Sequence, residues 1–247
     1  HSLFQLPLGT FVPSTVVDVS LVENVNVVTP KTLIQRQKMN AYKRKMLRKL
    51  ELLIIDEVSM LRADTLDMIN TVLKSVRGSS APFGGVQVLF IGDLLQLPPV
   101  VKPQEWELLQ QYYKGIFFFH SKVIEENPPL YLELEKVYRQ SDTNFVKILN
   151  HLRTNEISRE DMQALQPYIR PSFRPRHNDG YITLTTHNYK ADQKNAGAFA
   201  SIKGKEYHYQ AQIKGDFPEY LYPLDVQLSL KVGAQVMFVK NDLDVPK

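Results

Sequence analysis

The chain has 247 residues, of which 43% are hydrophobic and 23% charged, so it can bury a core and is not a disordered tail. Its formal charge of +4 is compatible with a nucleic-acid partner but does not require one. The absence of cysteine excludes disulfides, thiolate metal sites and cysteine nucleophiles, and no apolar run reaches the length of a membrane span.

The start of the chain gives two expectations. It opens with His-Ser-Leu-Phe, without the basic stretch and apolar core of a signal peptide. We therefore expect a cytoplasmic protein. The missing initiator methionine favours a fragment of a longer protein.

Residues 31–50 are the first segment with a clear pattern. They contain eight Lys or Arg and no acid, and they predict a basic helix that leads into a strand. Because charged runs are usually solvated faces, a direct contact with DNA stays open beside that simpler interpretation.

A strand, a helix and a second strand follow in succession. Leu52–Val58 is a nearly continuous apolar run with two acids near its end, which is typical of a buried parallel strand. The next segment has apolar residues at helical spacing (Leu66, Ile69, Leu73 and Val76), with Asp64 as a possible cap and Gly78 as its end. Val86–Ile91 is the second apolar strand. This order predicts a βαβ unit and a parallel sheet.

The later segments predict more strands than helices. The aromatic residues Phe117–Phe119 are expected to pack in the core, and Asn127-Pro128-Pro129 marks a domain boundary. A helix is predicted around Phe145–Leu152, and Ser158 with Asp161 resembles a capping box for another. A further helix should follow Asn188 as its cap. Strands are predicted at Tyr131–Val137, Tyr181–Thr185, Tyr207–Gln212, Val226–Leu230 and Gln235–Val239.

Polar residues follow both strands of the βαβ unit. Asp56 and Glu57 end the first strand, and Gly92-Asp93-Leu94-Leu95-Gln96-Leu97-Pro98-Pro99 follows the second. Ligands of parallel sheets bind beyond the carboxyl ends of the strands, so these side chains should share one crevice. There an acid can hold Mg²⁺, its neighbour can orient an attacking water, and the neutral Gln96 can hydrogen-bond a phosphate. Each motif alone could be an ordinary strand end or turn, but together they favour nucleotide hydrolysis.

These motifs resemble the RecD/PIF-type superfamily-one DNA helicases, and the resemblance covers nearly the whole chain in the family's order. The matching segments are Leu-Ile-Ile-Asp-Glu-Val-Ser-Met-Leu (53–61), Phe-Gly-Gly-Val-Gln (83–87), Gly-Asp-Leu-Leu-Gln-Leu-Pro-Pro-Val (92–100), Val-Tyr-Arg-Gln (137–140), Leu-Thr-Thr-His-Asn (184–188) and Leu-Lys-Val-Gly-Ala-Gln-Val-Met (230–237). The implied fold is α/β, a P-loop NTPase (RecA-like) parallel sheet flanked by helices. Residues 1–129 would be a partial first lobe. Residues 130–247 would be a partial second lobe with the beginning of a small β-rich insertion.

The resemblance implies roles for single residues. Asp56 would coordinate Mg²⁺, with Asp93 beside it in the nucleotide site, and Glu57 would activate water. Gln96 would sense the γ-phosphate. Arg139 would reach it from the second lobe as an arginine finger.

The role of Arg139 has one alternative, and the resemblance also implies contacts with DNA. For Arg139, the alternative to a finger is a surface salt bridge with Glu133 or Glu135. DNA contacts would come from residues in two segments, namely His1, Ser2, Phe4, Thr186, His187 and Asn188.

The implied function is that of an ATP-dependent helicase or translocase on single-stranded DNA or at a junction with duplex. It would act as a monomer with ATP and Mg²⁺, and move 5′ to 3′ as the best-known members do. No G-x-x-x-x-G-K-[ST] phosphate loop occurs in the sequence, so an internal fragment, inactive alone, is expected. A P-loop ATPase that is not a helicase, and a nucleic-acid-binding module without catalysis, are the alternatives.

Overall fold

The computed structural model describes residues 3–14, 25–37, 39–174, 179–213, 215 and 222–239. Their contacts divide the chain into two units, residues 1–161 and residues 162–247. The lobe boundary expected between residues 129 and 130 falls inside the first unit and stays a prediction.

The first unit contains the predicted βαβ arrangement. Its elements are β1 (Thr10–Phe11), β2 (Val27–Val28), α1 (Pro30–Arg36), α2 (Ala41–Arg48), β3 (Leu52–Ile55), α3 (Ala63–Arg77), β4 (Gln87–Phe90), α4 (Pro103–Leu109), α5 (Lys122–Glu126) and α6 (Thr143–Thr154). Strand β1 pairs with β2, and β3 pairs with β4, both in parallel. The strand–helix–strand prediction is therefore confirmed.

The predicted basic helix over residues 31–50 is two helices. Helix α1 ends at Arg36, and α2 begins after Asn40, whose side chain accepts a hydrogen bond from the Lys43 amide at 2.8 Å. An asparagine at this position satisfies an amide that the first turn leaves unpaired, so it starts a new helix.

Helix α3 is the centre of the core. Its side chains Leu66, Met68, Val72 and Leu73 are fully buried. They share one hydrophobic cluster with buried residues of the surrounding elements, namely Phe11, Val28, Leu33, Leu47, Leu53 and Phe83. The crossover helix between the two strands thus packs in one core with Leu53 of β3.

Two buried acids on α3 tie neighbouring segments to it. The Asp64 carboxylate accepts hydrogen bonds from the Phe11 amide at 3.0 Å and from the Arg62 guanidinium at 2.8 and 2.9 Å. Asp67 accepts from the Lys122 and Val123 amides at 2.9 and 3.0 Å, at the start of α5. Asp64 is paired with the Arg62 guanidinium, which offsets the cost of burying its charge. Asp67 is held by backbone amides instead, and its burial raises the pKa of its carboxyl.

The predicted capping role of Asp64 is wrong. The N-cap residue of α3 is Arg62, and Asp64 lies inside the first turn. Its side chain bonds to the Phe11 amide of β1 instead. The expected end at Gly78 is confirmed, since Gly78 caps the helix in the left-handed conformation.

Arg77 joins the end of α3 to the Phe-Gly-Gly segment before β4. Its guanidinium donates to the Gly84 carbonyl at 2.7 Å and to the Leu47, Arg48 and Leu50 carbonyls at 2.7–3.2 Å. The last carbonyls of a helix have no partner within it, so one cation satisfies the end of α2 and fixes the turn at Gly84.

A capping box at Ser158 holds the segment after α6. The Ser158 amide donates to Asp161 at 2.8 Å, and the Asp161 amide donates to the Ser158 hydroxyl at 3.1 Å, so this prediction is confirmed. The same carboxylate contacts His151 Nδ1 of α6 at 2.7 Å. The helix that follows, α7 (Arg159–Leu165), spans the division between the units.

The second unit contains α8 (Asn188–Ser201) and an antiparallel pair of β5 (Glu206–Gln210) and β6 (Gln227–Lys231). These strands confirm two of the predicted β segments, and the predicted helix after residue 187 is present. His187, not Asn188, is the N-cap residue of α8. Asn188 is thus the first helical residue, and its predicted capping role is wrong.

Three predicted strands are absent from the part of the chain that the structure describes. Tyr131–Val137, Tyr181–Thr185 and Gln235–Val239 have no regular secondary structure. Leu134 is 93% exposed and Leu184 91% exposed, so no segment among the described residues covers them. Alternation makes a strand only where another backbone accepts its hydrogen bonds, and no segment that the structure describes does so here.

The aromatic residues near 118 pack in the core only in part. The Phe118 ring stacks on Phe90 at 5.3 Å between centroids and lies against the main cluster. Phe117 and Phe119 stack on each other at 5.4 Å, and Phe119 is 37% exposed.

None of the helices among the described residues has the length and apolar character that crossing a membrane requires.

Alanine at Gly84 should destabilise the chain more than alanine at Gly78. Both glycines are left-handed, at φ +64 and +63°, which costs alanine roughly 1–2 kcal/mol at either position. A β-carbon at Gly84 would also lie 2.7 Å from the Leu73 carbonyl oxygen, whereas Gly78 has open space. Overlap of this kind adds about 1–3 kcal/mol to the loss for Gly84→Ala. Urea unfolding of the two variants measures the difference, and equal losses would contradict it.

The unfolding free energy of the chain should depend on pH through the titration of Asp161. The hydrogen bond from His151, and then the Ser158 amide, lower the pKa of Asp161 from 3.8 to about 2. A lowered carboxyl pKa stabilises the folded state above the unfolded value, and this contribution disappears as the pH falls through the folded value. The unfolding free energy of wild type should therefore approach that of Asp161→Asn between about pH 4 and pH 2. Glu156→Gln controls for the loss of one nearby carboxyl, and a difference that is constant over this range would contradict the expectation.

Candidate functional site

The two polar motifs leave the sheet at the same edge. In the parallel register Ile55 lies opposite Phe90, and the pairing continues past the strands. The Ile91 amide donates to the Ile55 carbonyl at 2.9 Å, and the Val58 amide donates to the Ile91 carbonyl at 3.0 Å. The acid pair and the Gly92 loop are therefore held side by side, as the sequence predicts.

Glu57, the second residue of the acid pair, follows strand β3 in a strained conformation. Glu57 has φ 52° and ψ 43°, in the left-handed region, and precedes a 3₁₀ turn over Val58–Met60. Its amide donates to Asp56 Oδ1 at 2.9 Å, and both side chains are exposed. Non-glycine residues in this region are uncommon and concentrate at functional sites.

Gly92 allows the two loops to approach each other. A β-carbon at Gly92 would lie 2.9 Å from the Val58 nitrogen and 3.0 Å from Val58 Cγ1. Its φ lies outside the left-handed region, so the glycine is needed for close approach of the two backbones and not for a tight turn.

Asp93 organises its own loop. Its Oδ1 accepts from the Leu95 amide at 3.1 Å, its Oδ2 accepts from Gln96 Nε2 at 3.3 Å, and its carbonyl accepts from the Gln96 amide at 3.0 Å. Oδ2 also accepts from Arg153 Nη1 at 2.6 Å. The Arg153 hydrogen bond, followed by the loop's own donors, lowers the pKa of Asp93 below its ordinary value. Asp93 thus remains an anion that fixes the position of Gln96.

Arg153 is the site residue that sequence reasoning missed. It lies in the last turn of α6, where a basic residue usually interacts with the helix end and solvent. Its partner is 60 residues away in the sequence. Helical periodicity contains no signal for such a contact, and only the tertiary structure reveals it.

Arg139 stays a prediction. The segment from Leu130 to Gln140 is exposed, and the Arg139 guanidinium makes no hydrogen bond or ion pair within the described ranges. The alternative salt bridge with Glu133 or Glu135 is therefore not formed. The structure does not bring Arg139 into contact with the acid pair.

The residues predicted to contact DNA lie in different environments. His1 and Ser2 are outside the described residues, and Phe4 is 5% exposed within the main core cluster. The Phe4 side chain therefore contributes to packing in this structure. Its predicted DNA contact is not supported by this burial.

Thr186, His187 and Asn188 lie in the second unit at the start of α8. All three are exposed. Thr186 Oγ1 contacts His187 Nδ1 at 2.8 Å, and Thr185 donates to the His187 carbonyl at 2.9 Å. The His187 ring also contacts Tyr189, with 5.6 Å between centroids. Polar groups and rings at an exposed helix start suit contacts with phosphate and base, and the DNA-binding role stays a prediction.

Comparison with known proteins gives the family. Residues 24–163, more than half of the chain, match the PIF1-like helicase family. The human ATP-dependent DNA helicase PIF1 is 36% identical over 197 residues, which are 76% of this chain and 29% of that protein. The Saccharomyces cerevisiae ATP-dependent DNA helicase RRM3 is 30% identical over 203 residues, 79% of this chain and 27% of that protein. The chain thus spans less than a third of these relatives.

Solved structures resemble this chain over almost its full length. Bacteroides Pif1 bound to single-stranded DNA has a TM-score of 0.75 and 35% identity, covering 94% of this chain and 49% of that one. Bacteroides Pif1 in complex with ADP-AlF₃ and single-stranded DNA has a TM-score of 0.74, at the same identity and coverage. The RecA-like α/β fold class predicted from the sequence is confirmed, and the chain spans about half of these structures.

Alanine at Gly92 should separate the two loops. The added methyl group would overlap the Val58 backbone, so we expect a loss of about 1–3 kcal/mol in unfolding free energy. The amide resonances of Val58 and Ser59 should shift with it. Gly197→Ala, a change with open space inside α8, is the control and should leave these resonances in place. Unchanged Val58 and Ser59 resonances in Gly92→Ala would contradict the expected overlap.

Proposed function

Because this chain belongs to the PIF1-like helicase family, we propose that the full-length protein is an ATP-dependent DNA helicase that moves along single-stranded DNA. The observation that carries the proposal is the shared strand edge, where the hydrogen bonds of Ile91 and Val58 hold the acid pair beside the Gln96 loop. The named activity of the relatives and the DNA and nucleotide analogue bound by the neighbours support it.

The residues at this edge fit a magnesium-bound triphosphate. The described part of the chain holds no cluster of three or more acidic or histidine side chains that would form a metal cage. Mg²⁺ usually keeps several waters and binds one or two carboxylates together with substrate phosphates, so the exposed Asp56 suits it. When bound, the ion would neutralise charge on the β- and γ-phosphates.

The other residues have separable roles in this proposal. Glu57 accepts a proton from the attacking water and orients it. Gln96 reports the presence of the γ-phosphate, because its amide is polar but uncharged and lies on the same edge. Asp93 sets the position of Gln96 through the bonds of its loop. Arg139 supplies positive charge from the second lobe.

DNA contacts would lie at Thr186, His187 and Asn188, on single strands or at junctions with duplex. Binding that rests on phosphate contacts and stacking should weaken with salt and show little sequence preference. We propose that one copy of the protein suffices for movement, in the 5′ to 3′ direction that the family resemblance implies.

Single-stranded DNA should switch on ATP hydrolysis by the full-length protein. Glu57→Gln should lower the stimulated rate by roughly 10²–10⁴-fold, because it removes a general base. DNA binding in a filter assay should remain. Turnover and binding are measured on the same preparations.

Glu51→Gln is the matched control, since Glu51 is an exposed glutamate just before β3, at the opposite end of the strand. It should hydrolyse ATP like wild type. Equal rates with and without DNA would refute the helicase and favour a P-loop ATPase of another kind. DNA binding without any turnover would favour a binding module.

A further inference from the structure

Arg153 and Gln96 both donate a hydrogen bond to the same oxygen atom of Asp93. Arg153 Nη1 lies 2.6 Å from Asp93 Oδ2, and Gln96 Nε2 lies 3.3 Å from the same atom. The Arg153 side chain is 49% exposed and the Asp93 side chain 23% exposed. The carboxylate is therefore a junction between helix α6 and the residue proposed to sense the γ-phosphate.

The ion pair between Arg153 and Asp93 contributes more to the orientation of the Asp93 carboxylate than to the free energy of folding. A half-exposed salt bridge adds little to folding, because solvent screens it and both side chains lose freedom. Charge-assisted hydrogen bonds are nevertheless short and directional. With the Leu95 amide on the other oxygen, the bond from Arg153 leaves the Asp93 carboxylate little freedom to rotate.

Electrostatics gives the pair a second effect. Asp93 follows β4 at the edge where Asp56 and Glu57 follow β3. A third uncompensated carboxylate near a triphosphate would repel it, and the Arg153 guanidinium offsets that charge. The same pair crosses the predicted lobe boundary at residues 129 and 130, because Asp93 precedes it and Arg153 follows it.

We propose that Arg153 is a positioning residue that acts through Asp93 on Gln96 and so links ATP hydrolysis to movement of α6. This inference rests on the proposed helicase function. Arg153 does not touch the nucleotide in this scheme. It holds the loop in the arrangement from which Gln96 can turn to the γ-phosphate, and it carries a change in that loop to the next lobe.

The test is a double-mutant cycle in the full-length protein. Arg153→Ala should lower the DNA-stimulated kcat roughly 10- to 100-fold with little change in KM for ATP, since it disturbs geometry and not binding. In a Gln96→Ala background the same change should have little further effect, because residues that act through one another are not additive. Arg153→Lys keeps a cation for Asp93 and should restore part of the rate.

Arg159→Ala is the matched control, an exposed arginine in the following helix α7 with no ion pair to a described residue. It should match wild type in rate and thermal midpoint. A wild-type rate in Arg153→Ala would overturn the positioning role and leave the helicase proposal intact. A loss of equal size in the Gln96→Ala background would also overturn it. A full-length protein without DNA-stimulated hydrolysis would overturn both proposals.

Discussion

The hydrogen bonds that continue beyond the ends of β3 and β4 are the constraint on which the site depends. Parallel strands deliver their carboxyl ends to one edge, but loops beyond that edge are usually free to diverge. Here two further hydrogen bonds extend the ladder beyond the carboxyl ends. The Ile91 amide donates to the Ile55 carbonyl, and the Val58 amide donates to the Ile91 carbonyl. The lack of a side chain at Gly92 lets the two backbones remain this close. Two loops that carry different chemical groups are therefore held next to each other where they leave the strands.

Helix α3 contacts its neighbouring segments through charged side chains as well as through apolar packing. Asp64 holds β1, Asp67 holds the start of α5, and Arg77 gathers carbonyls from the end of α2 and from Gly84. Each bond joins the crossover helix to a different neighbour. The parallel pair therefore packs in one core with a helix that is hydrogen-bonded to several neighbouring segments.

The sequence was sufficient for the parts of the fold that depend on local pattern. The apolar runs of β3 and β4, the helix between them and the box of Ser158 and Asp161 are encoded by neighbours in the chain. Tyr131–Val137 does not form the predicted strand, because strand pairing depends on a second backbone that alternation cannot specify. The contact of Arg153 with Asp93 cannot be predicted for a similar reason, since the two residues are 60 positions apart in the sequence. The acid pair and Gln96 are predicted from the sequence because they follow the strand ends, and their roles stay predictions.

The left-handed backbone of Glu57 makes this position a target for substitutions that raise stability. Glycine would adopt a φ of 52° with less strain than glutamate does. Glu57 therefore lowers the stability of the folded chain relative to glycine at this position. Thermostability would therefore favour glycine at position 57, whereas turnover would favour glutamate. A search that rewards heat resistance alone would tend to replace the residue to which the chemistry is assigned.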